Sequence, residues 1–430
     1  MLENDERLPY SFYLNNQEIS EALQTIVRSQ KLSPEDVLPI VYRPQAVFRV
    51  NAVARCSSSL PGHTEAVLHV SFSSDGRHLA SGSGDATVRI WDVDTETPKL
   101  TLSGHKNWVL AVAWSGCGKK LASGGMDCTL RVWDPSTGKL LNGKIRQKHI
   151  KPITAIVWEP VMVDPSSRRL ATASQDNTIV VWDTVTGVPL FSFSGHTQPV
   201  QALKWGGQGL IYSGSRDRSV RAWSLETKRM FRLMEAHAHW VNTLSLNCDY
   251  VLRQGPYDHR GMAPTDRDEI QQLAKEKYES ITNTNGELLV SGSDDFTLRL
   301  WNPMETGKPI HTMTGHQQPV NYVLHSPDGL MIASASFDKS VRIWDGITGK
   351  FLYAFRAHVQ SVYQVAWSAD SRWVVSSSKD STLKLWSIQQ KKMIEDLPGH
   401  ADEVFAVDWS PDGLRVASGG KDRILKIWRS

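Results

Sequence analysis

Eight times along the chain an Asp is followed six residues later by a Trp: Asp85/Trp91, Asp127/Trp133, Asp176/Trp182, Asp217/Trp223, Asp295/Trp301, Asp338/Trp344, Asp380/Trp386 and Asp422/Trp428. Upstream of each stands a His, mostly in a Gly-His step: His63, His105, His149, His196, His237, His316, His358 and His400. The His-to-Asp distance is 22 residues in five repeats, 21 in one, 27 in one and 58 in the fifth. With Ser or Thr between them, these are the residue types of a nucleophile, a general base and an orienting carboxylate. Eight copies in register point elsewhere, to a structural network in which Asp, His, hydroxyl and indole N–H satisfy one another. Three repeats depart from the pattern. The third has Lys148-His149 for Gly-His, and the second and eighth have Gly125 and Gly420 where the others carry Ser two residues before the Asp. Incomplete networks are expected there.

The elements that hold these residues follow from periodicity. Val67 to Phe72 and His78 to Ser83 both alternate with period two, as half-buried strands do. SSDG, SPDG and SADS stand between such segments as tight turns. A third alternating run, Thr87 to Trp91, ends the repeat. The unit GHTEAVLHVSFSSDGRHLASGSGDATVRIWD resembles a WD repeat. That resemblance covers about residues 61–430 and implies an all-β, eight-bladed WD-repeat β-propeller, with four antiparallel strands per blade around a channel. The last repeat stops at Trp428-Arg429-Ser430, after its third strand, so the fourth must come from elsewhere. Residues 46–53, AVFRVNAV, alternate and precede the first Gly-His. They are expected to pair there and close the ring, within a linker and closing segment over 44–60.

The fifth repeat carries an insertion of about 36 residues, from about Asp249 to Gly286. Tyr257 to Thr265 reads as loop. Residues 267–281 read as helix, with Ile270, Leu273, Ala274, Tyr278 and Ile281 on one face. Two readings stand: a helix packed on its own propeller, or an extra docking element. Ahead of the propeller, residues 1–43 do not fit the repeat. SFYL (11–14) and Pro39 to Tyr42 suggest strands, and helical starts are expected at Ser20 and at Ser33-Pro34.

Composition sets outer limits. The chain has 430 residues and a net charge of +3, from 48 Lys+Arg against 45 Asp+Glu. This gives no general polyanion-binding signal and leaves local basic patches open. No apolar run reaches the roughly 20 residues that span a bilayer. The start, MLENDERLPY, is acidic and lacks the apolar core of a secretory signal. Cys56, Cys117, Cys128 and Cys248 form no CxxC pair, which argues against a zinc site or disulfide scaffold and fits a reducing compartment.

A closer resemblance rests on the order of several segments. These are the connecting VYRPQAVFRVNAVARC, the eight repeats, WVNTLSL followed by DYVLR and the insertion, and the ending DLPGHADEVFAVDWSPDG. In that order the chain resembles the Notchless family of ribosome-assembly factors. The resemblance implies a non-catalytic factor of the nucleus, nucleolus and nucleoplasm, expected to be a monomer without cofactor or membrane partner. Its propeller would dock on the pre-large-subunit ribosomal particle. The segment before it, 1–43, would be a partial α+β ubiquitin-like segment, beginning after the family's first hairpin and most of its first helix. In the family that domain binds the metal-ion-dependent adhesion site of midasin, an AAA ATPase. The family's metal-contacting carboxylate precedes a Leu-Pro step, and Asp5-Glu6-Arg7-Leu8-Pro9 matches it. Glu6 is the choice for an in-trans magnesium ligand, with Asp5 and Glu3 as competitors, since magnesium favours hard oxygen donors.

Other classes are weighed on particular residues. There is no GxxxxGK[ST] loop for ATP. A ubiquitin-ligase substrate receptor would often carry Arg two residues after Trp-Asp, and none of the tails WDVD, WDPS, WDTV, WSLE, WNPM, WDGI, WSIQ and WRS does. A propeller enzyme would need a carboxylate or His cluster unique to one blade, and none rises above the repeat background. A Notch signalling role is implied only by the family name. The binding surface is expected on the Gly-His face. There the residue before each repeat Asp sits in a tight turn: Gly84, Met126, Gln175, Arg216, Asp294, Phe337, Lys379 and Lys421. Met126 and Phe337 are apolar at wet positions, and Arg216, Lys379 and Lys421 could meet RNA phosphate or acidic protein. Trp108 and Trp240, three residues after the repeat His, are either interface anchors or plugs of the channel mouth.

Overall fold

The structure is a computed structural model that describes residues 10–14, 17–18, 40–44, 50–141, 147–283 and 285–430. It divides into two compact units, Met1–Val50 and Asn51–Ser430. In the first, three antiparallel strands run in the order Gln17–Glu18, Tyr10–Leu14, Ile40–Pro44, with Phe12 opposite Tyr42. The two strands expected there are present. The expected helices and Glu6 lie outside the described residues.

The second unit is the propeller. Its first blade has strands Val67–Phe72, His78–Ser83, Thr87–Asp92 and Thr97–Ser103. Six further blades repeat this four-stranded order, and the second blade shows three strands among the described residues, with a bridge from Trp133 to Leu140 where a fourth begins. First strands neighbour one another around the whole circuit, so they line the axis, and the eighth meets the first.

Packing between sheets explains why no blade is self-sufficient. One apolar cluster joins Val67, Val70, Phe72, Leu79 and Trp91 of the first blade to Ala406, Ala417, Leu425 and Ile427 of the eighth. Another joins Val88, Ile90 and Leu102 to Val109, Trp114 and Trp133 of the second. The repeat Trp rings are buried in these seams, and truncating one to Ala is expected to cost ~3–5 kcal/mol. In seven blades the ladder between third and fourth strands shifts register between the residue before the Trp and the Trp itself. A bulge there re-aims the side chain, turning the indole toward the second strand.

Closure differs from the sequence expectation. The strand that completes the eighth blade is Arg55–Leu60, not residues 46–53. Leu60 pairs with Leu425, Ser58 with Ile427 and Arg55 with Arg429. Fourth strands lie at the rim with one buried residue at the end, so RCSSSL reads as polar although it is a strand. That buried residue stands three before the repeat His: Leu60 before His63, Leu102 before His105, Phe193 before His196. Of the expected segment, Val50, Asn51, Ala52 and Val53 are not in a strand, and 46–49 lie outside the described residues.

The insertion contains two helices, α1 (Asp249–Gln254) and α2 (Arg267–Thr282). Helix α2 matches the expected span and is N-capped by the Asp266 side chain. Helix α1 was not anticipated, because Tyr250-Val251-Leu252 reads by propensity as strand. Both helices bond to the propeller, α1 through Tyr250 and Arg253 and α2 through Gln271.

Removing residues 51–60 leaves the Leu425–Arg429 edge unpaired, exposing a template for aggregation. We expect this truncation to elute as soluble oligomers in size-exclusion chromatography and to unfold at lower temperature. A monodisperse truncation with unchanged melting would contradict closure by this strand.

Candidate functional site

The repeat residues form one hydrogen-bonded relay in all eight blades. Each Trp Nε1–H donates to a hydroxyl at 2.8–2.9 Å. That hydroxyl lies 2.7–2.8 Å from His Nε2. His Nδ1 lies 2.7–2.9 Å from the Asp Oδ2. The same Oδ2 accepts the backbone N–H of the residue after the His, from Thr64 to Ala401.

Two expectations are corrected here. The relay hydroxyl is four residues before the Asp, not two: Ser81, Ser123, Thr172, Ser213, Ser291, Ser334, Ser376 and Ser418. No network is therefore incomplete. The Ser two before the Asp does another job, as where Ser83 Oγ accepts the Asp85 N–H and donates to the Glu65 carbonyl. In the second and eighth blades a side chain at that place would collide with backbone, 2.2 Å from the Trp108 carbonyl oxygen at Gly125 and 2.3 Å from that of Glu403 at Gly420. The third blade also keeps its relay. At Gly195 an added Cβ would fall 2.8 Å from the guanidinium of Arg221, two residues before the Trp. The third blade has Val180 at that register, which leaves room for Lys148.

Donor logic fixes the protons. Indole N–H only donates, so the hydroxyl accepts it and has one hydrogen left. The nearby carbonyl alternatives are 3.4–3.5 Å away, against 2.7–2.8 Å to His Nε2. The hydroxyl therefore donates to Nε2, and the imidazole is neutral with its proton on Nδ1, facing Asp. Burial lowers His196, His237 and His316 below the usual histidine value, only partly offset by their Asp partners. Burial alone would raise the Asp carboxyls, but hydrogen bonds from His and from backbone N–H, joined in six blades by a hydroxyl, hold seven of them well below the carboxylate range and lower Asp422 as well. The relay hydroxyls are fully buried and already engaged, so no substrate can reach them as nucleophiles.

The relay organises the face above it. Each residue before the repeat Asp donates its backbone N–H to the carbonyl three residues after the repeat His: Gly84 to Ala66, Met126 to Trp108, Gln175 to Pro152, Arg216 to Pro199, Asp294 to Trp240, Phe337 to Pro319, Lys379 to Ser361 and Lys421 to Glu403, all at 2.8–3.1 Å. The two sets of candidate residues thus belong to one rim. The residue after each Asp is in the left-handed region without being Gly, from Ala86 (φ 63°) to Arg423 (φ 68°). The Asp carboxylate, which accepts the backbone N–H one residue further on, helps hold that turn.

Contacts then run from one blade to the next. The Arg216 guanidinium lies 4.4 Å over the ring of Trp240, which remains 40% exposed. His239 flanks the same ring and faces Asp294 at 3.6 Å. Trp108 is 50% exposed, with its indole beside Gly84 of the preceding blade. Phe337 meets Tyr363 edge-on, Tyr363 meets Phe405, and the Tyr363 hydroxyl donates to Glu403. Lys379 and Lys421 are not isolated cations: Lys379 is 3.9 Å from Glu403, and Lys421 is 3.4 Å from Asp402. Sequence reasoning missed Ile150 and Val359, exposed directly after the repeat His, and Phe296, exposed directly after the repeat Asp. Counting one residue on from each repeat landmark would have found them.

Comparison with known proteins bears on this geometry. The family description "WD domain, G-beta repeat" matches residues 54–92, 96–134, 144–183, 187–224, 279–302, 307–345, 349–387 and 391–429. Among solved structures, the computationally designed Ika8 protein superposes with a TM-score of 0.68 at 26% identity, covering 87% of this chain and 100% of that one. Fold and relay together define the class as a WD-repeat β-propeller. Protein Notchless of Drosophila melanogaster is 50% identical over 76% of this chain and 68% of its own length. The Notchless protein homolog of Arabidopsis thaliana is 53% identical over 81% and 73%, and Ribosome assembly protein 4 of Saccharomyces cerevisiae is 49% identical over 80% and 70%. The chain belongs to the Notchless family.

The relay has a pH signature. His196, His237, His316 and the eight Asp are all depressed in the folded state, so the stability they contribute is present above their unfolded values and lost as pH falls. His69 and His325, lowered to about 4 by burial, act in the same sense. Glu159 and Glu287, raised by burial, oppose it, whereas His78, Asp92, Asp134, Asp164 and Asp183 are lowered and add to it. Urea midpoints are expected to fall from about pH 6.5 downward and steepen below about pH 4. A midpoint that rises between pH 6.5 and 5 would contradict the neutral-histidine relay.

Proposed function

We propose that this chain is a non-catalytic factor in assembly of the large ribosomal subunit, acting in the nucleus and nucleolus. Its propeller docks on the pre-large-subunit ribosomal particle through the Gly-His face. The carrying observation is the exposed Arg216–Trp240 stack, which with Trp108, Met126 and Phe337 offers rigid aromatic and apolar anchors on a polar rim. The name of the yeast relative, Ribosome assembly protein 4, supports the process. A cation stacked on an indole suits both RNA bases and protein side chains. Because Lys379 and Lys421 face carboxylates, the anchor is assigned mainly to the stack rather than to free positive charge.

In the same proposal the N-terminal unit engages the midasin AAA ATPase, with Glu6 completing the partner's magnesium shell and ATP hydrolysis in midasin driving release. A ubiquitin-ligase receptor or Notch scaffold is the alternative, and no residue pattern favours it over assembly.

The test is affinity purification of pre-ribosomal particles with the tagged full chain. Arg216→Glu with Trp240→Ala should reduce recovery of large-subunit precursor RNA by about tenfold or more, without shifting the melting temperature. Lys379→Glu with Lys421→Glu should have a smaller effect. Glu6→Gln should spare loading and abolish magnesium-dependent midasin binding. Undiminished particle recovery with the Arg216/Trp240 variant removes this face as the anchor, and enrichment of cullin components instead would favour the ligase reading.

A further inference from the structure

The insertion within the fifth blade reaches much further than that blade. Helix α1 lies across the end of the channel at the turns between first and second strands. At its start, the Asp249 carboxylate is 2.8 Å from Lys204 Nζ, on the inner strand of the fourth blade. One turn later, Arg253 forms a two-point pair with Asp408, on the inner strand of the eighth. In a ring of eight, the fourth and eighth blades are opposite walls. A single helical turn, about 6 Å of rise, therefore spans the axis, with Lys204 reaching in to one end and Arg253 reaching out from the other.

The remaining bonds fill in the circuit. Arg253 also donates to the Phe72 carbonyl, and Ser74 donates back to the Arg253 carbonyl, both in the first blade. Tyr250 donates to Pro411 of the eighth blade. Tyr257 donates to Cys117 of the second, and Gln271 of α2 to Met162 of the third. At the far end, the buried Glu287 carboxylate accepts from Tyr212 and Gly207 of the fourth blade and from Tyr278 of α2.

The receiving turns are shaped for this. In the first, sixth, seventh and eighth blades the turn carries an Asp that accepts from its own Ser: Asp75, Asp328, Asp370 and Asp412. The second and fourth blades read SGCG and GGQG instead. A Cβ at Gly207 would fall 2.5 Å from the Tyr278 ring, and one at Gly255 would fall 2.9 Å from the Gly116 carbonyl. The insertion thus seats against bare glycine-rich turns of the second and fourth blades, and it also reaches Ser74 and Pro411 in turns that keep their Asp.

We infer that the 249–286 insertion is a cross-brace. It closes one end of the channel and ties opposite walls of the propeller together, so that access to the axis is left to the Gly-His face. This inference does not depend on the ribosomal reading: it concerns the ring itself. An appendage belonging to the fifth blade would steady only that blade. A brace steadies the first and eighth blades too, although they are remote from it in sequence.

Amide hydrogen exchange on the full chain distinguishes the two. Arg253→Gln leaves the Asp408 carboxylate without its cation, and Asp408 Oδ2 accepts the Phe72 amide. In this variant exchange should quicken about tenfold in Val67–Phe72 and Val404–Trp409. Asp249→Asn should do the same in Val200–Trp205. Adding Asp408→Asn to Arg253→Gln should restore part of the lost protection, as coupled partners do. If Arg253→Gln does not yield folded protein, Arg253→Lys and Tyr250→Phe supply the comparison, each removing fewer bonds. Changes confined to the insertion and the fifth blade, with the first, fourth and eighth blades protected as before, would overturn the inference.

Discussion

The hydrogen-bond relay from Trp through hydroxyl and His to Asp is the constraint on which the rest depends. A propeller seam buries an indole N–H, a hydroxyl and an imidazole close together, and each would cost about 1–3 kcal/mol if left unpaired. The relay pairs all of them and ends on a carboxylate near the surface, which also collects backbone N–H groups from two turns. One set of bonds thus joins the second and third strands of a blade to the loop that carries the His and to the turn that carries the Asp. The left-handed residue after each Asp and the bond from each preceding residue to the carbonyl three after the His both follow from where that carboxylate is held. The rigid face offered to a partner is a consequence of buried chemistry.

The same residue types would serve a hydrolase. Access and repetition decide between the two uses. A nucleophile must be reachable and poised, whereas these hydroxyls are buried and occupied. What remains free to vary is the rim. There Arg216 stacks on Trp240, Phe337 joins Tyr363, and Lys379 faces Glu403, each contact crossing from one blade to the next. In the docking proposed above these cross-blade pairs are the contact surface, while α1 bonds to the blades at the opposite end.

Much of this was legible in the sequence, for reasons that can be named. The Asp-to-Trp spacing is constant because both residues sit on either side of one invariant turn and strand, so blade number and the His–Asp pairing followed from counting. The relay hydroxyl was misassigned because residues two apart share a strand face, and both positions usually carry Ser. Gly125 and Gly420 could have broken the tie, since the hydroxyl four before the Asp is never missing. The closing strand was missed because rim strands are largely solvated, so RCSSSL looks less like a strand than the alternating 46–53. Stacking of Arg216 on Trp240 needs the offset between neighbouring blades, which no single repeat encodes. Helix α1 was invisible because its residues are chosen for contacts with the first, fourth and eighth blades rather than for helix propensity.

Nitrogen-15 NMR of the histidine side chains tests the relay most directly. At about pH 7 the eight repeat histidines should all be neutral, with the proton on Nδ1 and an unprotonated Nε2 accepting from the hydroxyl. Imidazolium signals from these residues, or the opposite tautomer with its proton on Nε2, would contradict the account.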